Sequence, residues 1–126
     1  MSKDIKVTIK LRLPGLNEYT RANRTSKYEG AKIKAHYERV IGFYLRKARC
    51  PQLRPPVTID FLWIEENRRR DLDNIAFAKK FILDALVSYG YLEDDNRKVV
   101  TAFRDSFAYD KESRVELTIH QEQADA

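Results

Sequence analysis

From residue 5 the chain alternates: Ile5, Val7, Ile9, Leu11 and Leu13 are apolar, and Lys6, Thr8, Lys10 and Arg12 are polar. A period of two predicts a strand with one buried face, and Pro14-Gly15 ends it. The basic stretch that follows, with Asn17, Arg21, Asn23, Arg24, Ser26 and Lys27, reads as an ordered loop or a mobile arm. From about Glu29 to Arg49 the apolar spacing changes to steps of three and four. Ile33, Tyr37, Val40, Ile41, Tyr44, Leu45 and Ala48 make one helical stripe. Lys32, Lys34, His36, Arg39, Arg46, Lys47 and Arg49 lie off it, on a face that is either solvated or turned to DNA backbone.

Pro51, Pro55 and Pro56 mark a connection, after which Val57 to Ile64 predicts a second strand. Leu62 and Ile64 make its far end apolar on both faces, as an interior strand requires. A second helix is expected from Asp73 to Tyr89, with Asp73 as N-cap and Gly90 at the C-terminal glycine position. Two strands, about Val99–Phe107 and Ser113–His120, complete an order of β-α-β-α-β-β. The fold class is α/β of an α+β-like kind: one domain over residues 1–126, a mixed sheet with packed helices, and frayed ends at 1–4 and 121–126. Strand order is not encoded in such a pattern.

Composition narrows the picture. A chain of 126 residues has room for one core, and 43% hydrophobic with 34% charged residues suits a globular domain. No apolar run approaches the roughly 18–20 residues that span a bilayer, and no signal-peptide core follows Met1. A cytoplasmic location without membrane contact is the default. The single cysteine, Cys50, forms no internal disulfide. Lys and Arg outnumber Asp and Glu by 24 to 19, a net charge of +5 that permits nucleic-acid binding.

The chemistry concentrates in RRRDLDN, where a strand gives way to a helix, and in YLEDDNRK, after that helix. Asp71 and Asp73 in an extended segment would share one side. Asp95 joins them only if the loop after the helix folds back. Mg²⁺ binds hard oxygen ligands, typically a few carboxylates with water and phosphate. Clustered carboxylates repel one another unless a cation neutralises them. Arg68, Arg69 and Arg70 immediately upstream suit a polyanion, and a basic rim beside an acidic metal site is what phosphodiester cleavage needs. The bland alternative makes Asp73 a cap and Asp94-Asp95 a turn. Lys80, seven residues after Asp73, returns to the same face of an ideal helix and would lean toward the aspartates. Otherwise it pairs with Asp84 at i,i+4. His36 and His120 lack metal-ligand spacing, Cys50 lacks a base, and four glycines make no nucleotide-binding fingerprint.

RRRDLDNIAFAKKFILDALVSYGYLEDDNRKV resembles the core of the RusA family of Holliday junction resolvases: Asp-x-Asp-Asn, then Lys, then Asp-Ala-Leu, then Asp-Asp. LPGLNEYTRANRTSKYEGAKIKAHYE resembles the N-terminal segment of bacterial and prophage members, and RVELTI resembles their closing strand. The resemblance implies a Mg²⁺-dependent endodeoxyribonuclease, with Mn²⁺ as a substitute, that acts on four-way or branched DNA in recombination and repair. It implies a homodimer that places paired nicks and uses no nucleotide cofactor. Asp71, Asp73 and Asp95 match the metal-site carboxylates, Arg70 a DNA-binding position, and Lys80 the catalytic lysine, with Lys79 as an adjacent competitor. Arg68, Arg69, Arg21, Arg24 and Lys27 are further DNA-binding candidates. Two alternatives remain beside this reading: a non-catalytic junction-binding module, and a phosphatase that forms an aspartyl-phosphate on the first Asp.

Overall fold

The computed structural model describes residues 4–121. Its elements are β1 (Ile5–Ile9), α1 (Leu16–Thr25), α2 (Lys27–Lys47), β2 (Val57–Glu65), α3 (Leu72–Ala76), α4 (Lys79–Ser88), β3 (Val100–Tyr109) and β4 (Arg114–Gln121). The strands form one mixed sheet in the order β1-β4-β2-β3. β4 pairs antiparallel with both β1 and β2, and β3 pairs parallel with β2 from Val57↔Val100 to Glu65↔Tyr109. β2 is therefore interior, as its doubly apolar end implies, and β3 is an edge.

The core joins the inward residues of the sheet to the apolar stripes of the helices. Ile9, Ile59, Phe61, Trp63, Leu117 and Ile119 from the strands meet Ile41 and Leu45 of α2 and Phe81, Ile82 and Leu86 of α4. Cys50 belongs to this core, and burial pushes its thiol up to about 11. It is not a thiolate nucleophile at neutral pH.

Two expectations about elements are corrected. The segment after Pro14-Gly15 is a helix, not a loop or arm. α1 buries no residue completely, and its short apolar stripe is outnumbered by polar residues, so its signal in sequence is weak. Its boundary with α2 is fixed by Ser26, whose Oγ accepts the Glu29 N–H at 3.0 Å. The single helix expected over Asp73–Tyr89 is two helices, α3 and α4. At the break, Ala78 N–H bonds the Ile75 carbonyl and Lys80 N–H that of Phe77, three residues back in each case. The order is β-α-α-β-α-α-β-β.

Asp4 and Gln121, expected to belong to the frayed ends, are both held in place. Gln121 pairs with Val57 within the sheet, and its Oε1 accepts the Arg54 N–H at 2.9 Å. Asp4 bonds His120; residues 1–3 and 122–126 lie outside the described part. The glycine expected after the second helix is present: Gly90 has φ +81°, and Tyr91 N–H reaches back to the Leu86 carbonyl. No atom lies within 4 Å of a Cβ built on Gly90. Gly90→Ala should therefore cost about 1 kcal/mol through backbone strain alone, measurable by denaturant unfolding.

His120 supplies a pH-dependent tie. Its ring nitrogens lie 2.9 Å from Asp60 and 2.8 Å from Asp4, and hydrogen bonds to Asp60 first and Asp4 second raise its pKa above 6.5. A raised pKa means stabilisation that is complete below the unfolded value and lost as pH rises through the folded one. The melting-temperature difference between wild type and His120→Gln should be largest below pH 6.5 and shrink as pH rises above it.

Candidate active site

The Asp-x-Asp segment sits at the end of the sheet where β2 finishes. Asp71 is the extended residue preceding α3, with φ −69° and ψ 153°, and Asp73 lies in the first helical turn. The pair is thus not carried on one extended segment; the helix begins between the two. Both residues are exposed, and no hydrogen bond or ion pair engages either carboxylate among the described residues. The N-cap of α3 is Asp71 and not Asp73 as the pattern suggested, and Asp71 makes no side-chain capping bond, so capping accounts for neither carboxylate.

Asp95 lies elsewhere. It belongs to the turn that enters β3, where Asn96 Oδ1 accepts the N–H groups of Lys98 and Val99 and the Val99 carbonyl accepts from Val57. Val57 is the first residue of β2, whereas Asp71 and Asp73 follow its last, Glu65. The loop does not fold back within the chain, because the buried Leu92 and Val99 and the Leu53 N–H to Tyr91 carbonyl bond hold it at the start of the sheet. Accordingly, no group of three or more His, Cys, Asp and Glu among the described residues is arranged to hold a metal ion. One chain offers a carboxylate pair at one end and a half-exposed third carboxylate at the other.

The two lysines differ sharply. Lys79 Nζ lies 2.7 Å from Asp105 and 4.5 Å from the Phe103 ring centroid, with its side chain 18% exposed. Asp105 also accepts the Trp63 Nε1–H at 2.8 Å, so Lys79 fastens the start of α4 to β3. Lys80 is 63% exposed and pairs with Asp84 at 3.7 Å, four residues onward. The helix is not continuous from Asp73 to Lys80, because a turn of bonds reaching three residues back intervenes at Phe77–Ala78, and the Lys80 side chain lies toward Asp84. Lys34 of α2 shares Asp84 at 3.3 Å.

The basic candidates also divide. Arg21 and Arg24, with Asn17 and Thr20, line a cleft of about 300 Å³ along one face of α1. Asn17 and Thr20 were not singled out as site residues in the sequence, since only a helix brings them beside Arg21 and Arg24. Lys27 is exposed at the start of α2. Arg69 is exposed in a second cleft of about 290 Å³, shared with Arg12, Glu66 and Asn67. Arg68 stacks on Tyr109 at 4.7 Å from the ring centroid. Arg70 alone is turned inward. Its guanidinium bonds Glu65 at 2.7 and 2.8 Å, and its side chain is 11% exposed.

α1 stands directly against the Asp-x-Asp segment, because Asn74 Oδ1 accepts the Asn17 N–H at 2.9 Å. A basic helix face, two free carboxylates and exposed arginines therefore share one end of the molecule, an arrangement suited to a phosphodiester backbone. The family model for endodeoxyribonuclease RusA matches residues 2–120. No curated protein matches the chain. The chain belongs to the RusA family of endodeoxyribonucleases, which resolve Holliday junctions by hydrolysing DNA phosphodiester bonds.

Proposed function

We propose that this enzyme is a Mg²⁺-dependent resolvase of four-way DNA that works as a homodimer in the cytoplasm, in recombination and repair. Each active site would combine Asp71 and Asp73 of one chain with the partner's Asp95. The observation that carries this reading is the separation of these carboxylates to opposite ends of the β2–β3 pair, beside the edge that β3 leaves unpaired among the described residues. Two copies joined at that edge about a two-fold axis perpendicular to the sheet run antiparallel. The start of the partner's β3 would then lie beside the end of this chain's β3. Arg68 on Tyr109 ties the segment leading to Asp71 to that same end.

Three carboxylates suit Mg²⁺, with Mn²⁺ as a substitute, since hard divalent ions take oxygen ligands. When bound, the ion supplies charge stabilisation and activation of the attacking water. The chain's residues do the rest. Arg21, Arg24 and Lys27 hold one stretch of backbone, and Arg68 and Arg69 hold the phosphates beside the carboxylates. Lys80 leaves an exposed pair that costs little to break and donates to the phosphate or its leaving oxygen.

Asp71→Asn, Asp73→Asn and Asp95→Asn should each lower nicking by about 100-fold or more while junction binding is kept. Mixing inactive Asp71→Asn chains with inactive Asp95→Asn chains tests the shared site directly. The mixed dimer holds one intact site, so single-strand nicking should return without paired resolution. Sites built within one chain would stay dead in every combination. A double Arg68→Ala, Arg69→Ala variant should flatten the salt dependence of junction binding by about 0.9 log unit per lost contact. An unchanged slope in a filter-binding titration would leave this run without a phosphate role.

A further inference from the structure

Along the outside of α2 lies a basic surface that the active site leaves unused. The helix turns Ile41 and Leu45 to the core. Lys32, Arg39 and Arg46 recur every seven residues, just under two turns, and so form one row on the opposite side. All three are exposed, as are Phe43 and Lys47 beside them. The row covers about 21 Å, the length of roughly six base pairs of duplex. Among the described residues, none of these four cations has a carboxylate partner. No exposed residue of α2 is acidic: Glu29 and Glu38 are half-buried, and Glu38 lies 4.0 Å from Lys34.

The positive band continues past the helix. Lys47, with Tyr44 and Ala48, lines a cleft of about 230 Å³ over the edge of β1, and Lys6, Thr8 and Lys10 line its other side. The neighbouring carboxylates are engaged elsewhere, Glu116 by Arg114 at 3.0 Å and Asp4 by His120 at 2.8 Å. β1 is the sheet edge opposite β3, so the band occupies the flank away from the β2–β3 pair whose connections carry Asp71, Asp73 and Asp95. A helix face that is only solvated gains from carboxylates set among its cations. This face has none, although the chain holds 19 Asp and Glu. Duplex DNA presents one negative charge per about 1.7 Å of its axis, which matches a row of unpaired cations. We propose that the outer face of α2 and the β1 edge form a second phosphate-binding surface, which holds a duplex arm of the branched substrate. Backbone contacts of this kind position an arm without reading its sequence. The proposal rests on the family's action on DNA, and on neither the metal site nor the dimer.

The test compares Arg39→Gln, Arg46→Gln with a control of equal net charge, Arg54→Gln, Lys111→Gln, whose side chains are exposed outside α2. Glutamine keeps the helix propensity of arginine, and circular dichroism checks folding. Each chain is titrated at several salt concentrations against a four-way junction and against a linear duplex of the same arm sequence. The α2 variant should bind both DNAs at least about tenfold more weakly, with each salt slope lowered by about 0.9 per lost contact. The control should keep the wild-type slopes. A photoreactive benzoylphenylalanine in place of Phe43 should crosslink to arm nucleotides of the junction and to the linear duplex. Wild-type slopes in the α2 variant, an equal loss in the control, or crosslinks confined to the crossover would each overturn the proposal. If the wild-type chain binds no four-way DNA, the reading of the substrate fails as well. If it binds and nicks the junction while the α2 variant keeps its slope, only the second surface fails.

Discussion

The parallel pairing of β2 with β3 governs the arrangement of this enzyme. Two parallel neighbours cannot be joined by a tight turn, so the chain must leave the end of one and travel back to the start of the other. α3 and α4 make that return, and they bury Ile75, Phe81, Ile82, Ala85 and Leu86 while doing so. β2 is fixed by β4 on its other edge, and its inward residues Val57, Ile59, Phe61 and Trp63 are almost fully buried. The crossover therefore has no freedom to shorten. Whatever follows β2 and whatever precedes β3 must lie at opposite ends of the sheet, and the carboxylates fall on those two connections.

Electrostatics acts at two depths. At the surface, Arg21, Arg24, Lys27, Arg68 and Arg69 stay solvated, where pairing energies are small and a polyanion can displace counterions freely. Beneath them, Arg70 and Glu65 form a desolvated pair, which contributes to geometry more surely than to stability. The two arginine types are neighbours in sequence and opposite in environment. Lys79 and Lys80 repeat the division: one is locked onto Asp105 and two aromatic rings, and the other is loosely held by Asp84.

The sequence by itself determined the strands, the long helix, the mixed sheet, the glycine at the end of α4 and the family. These rest on local periodicity, turn chemistry and motif spacing, which the chain carries without reference to its tertiary contacts. The RRRDLDN motif likewise carried the resemblance to the family, which the match over residues 2–120 bears out. Tertiary structure alone decided that α1 is a helix, since Leu16, Tyr19 and Ala22 make too thin a stripe to outweigh the polar residues between them. It also decided that Arg70 points inward, that the helix breaks at Phe77–Ala78, and that Asp95 stands apart from Asp71 and Asp73. Three of these share a physical reason. Each depends on a partner distant in sequence, whether Leu13 for Arg70, Asn74 for α1, or the shared edge of β2 and β3 for Asp95, and pattern along a chain does not encode which distant groups will meet.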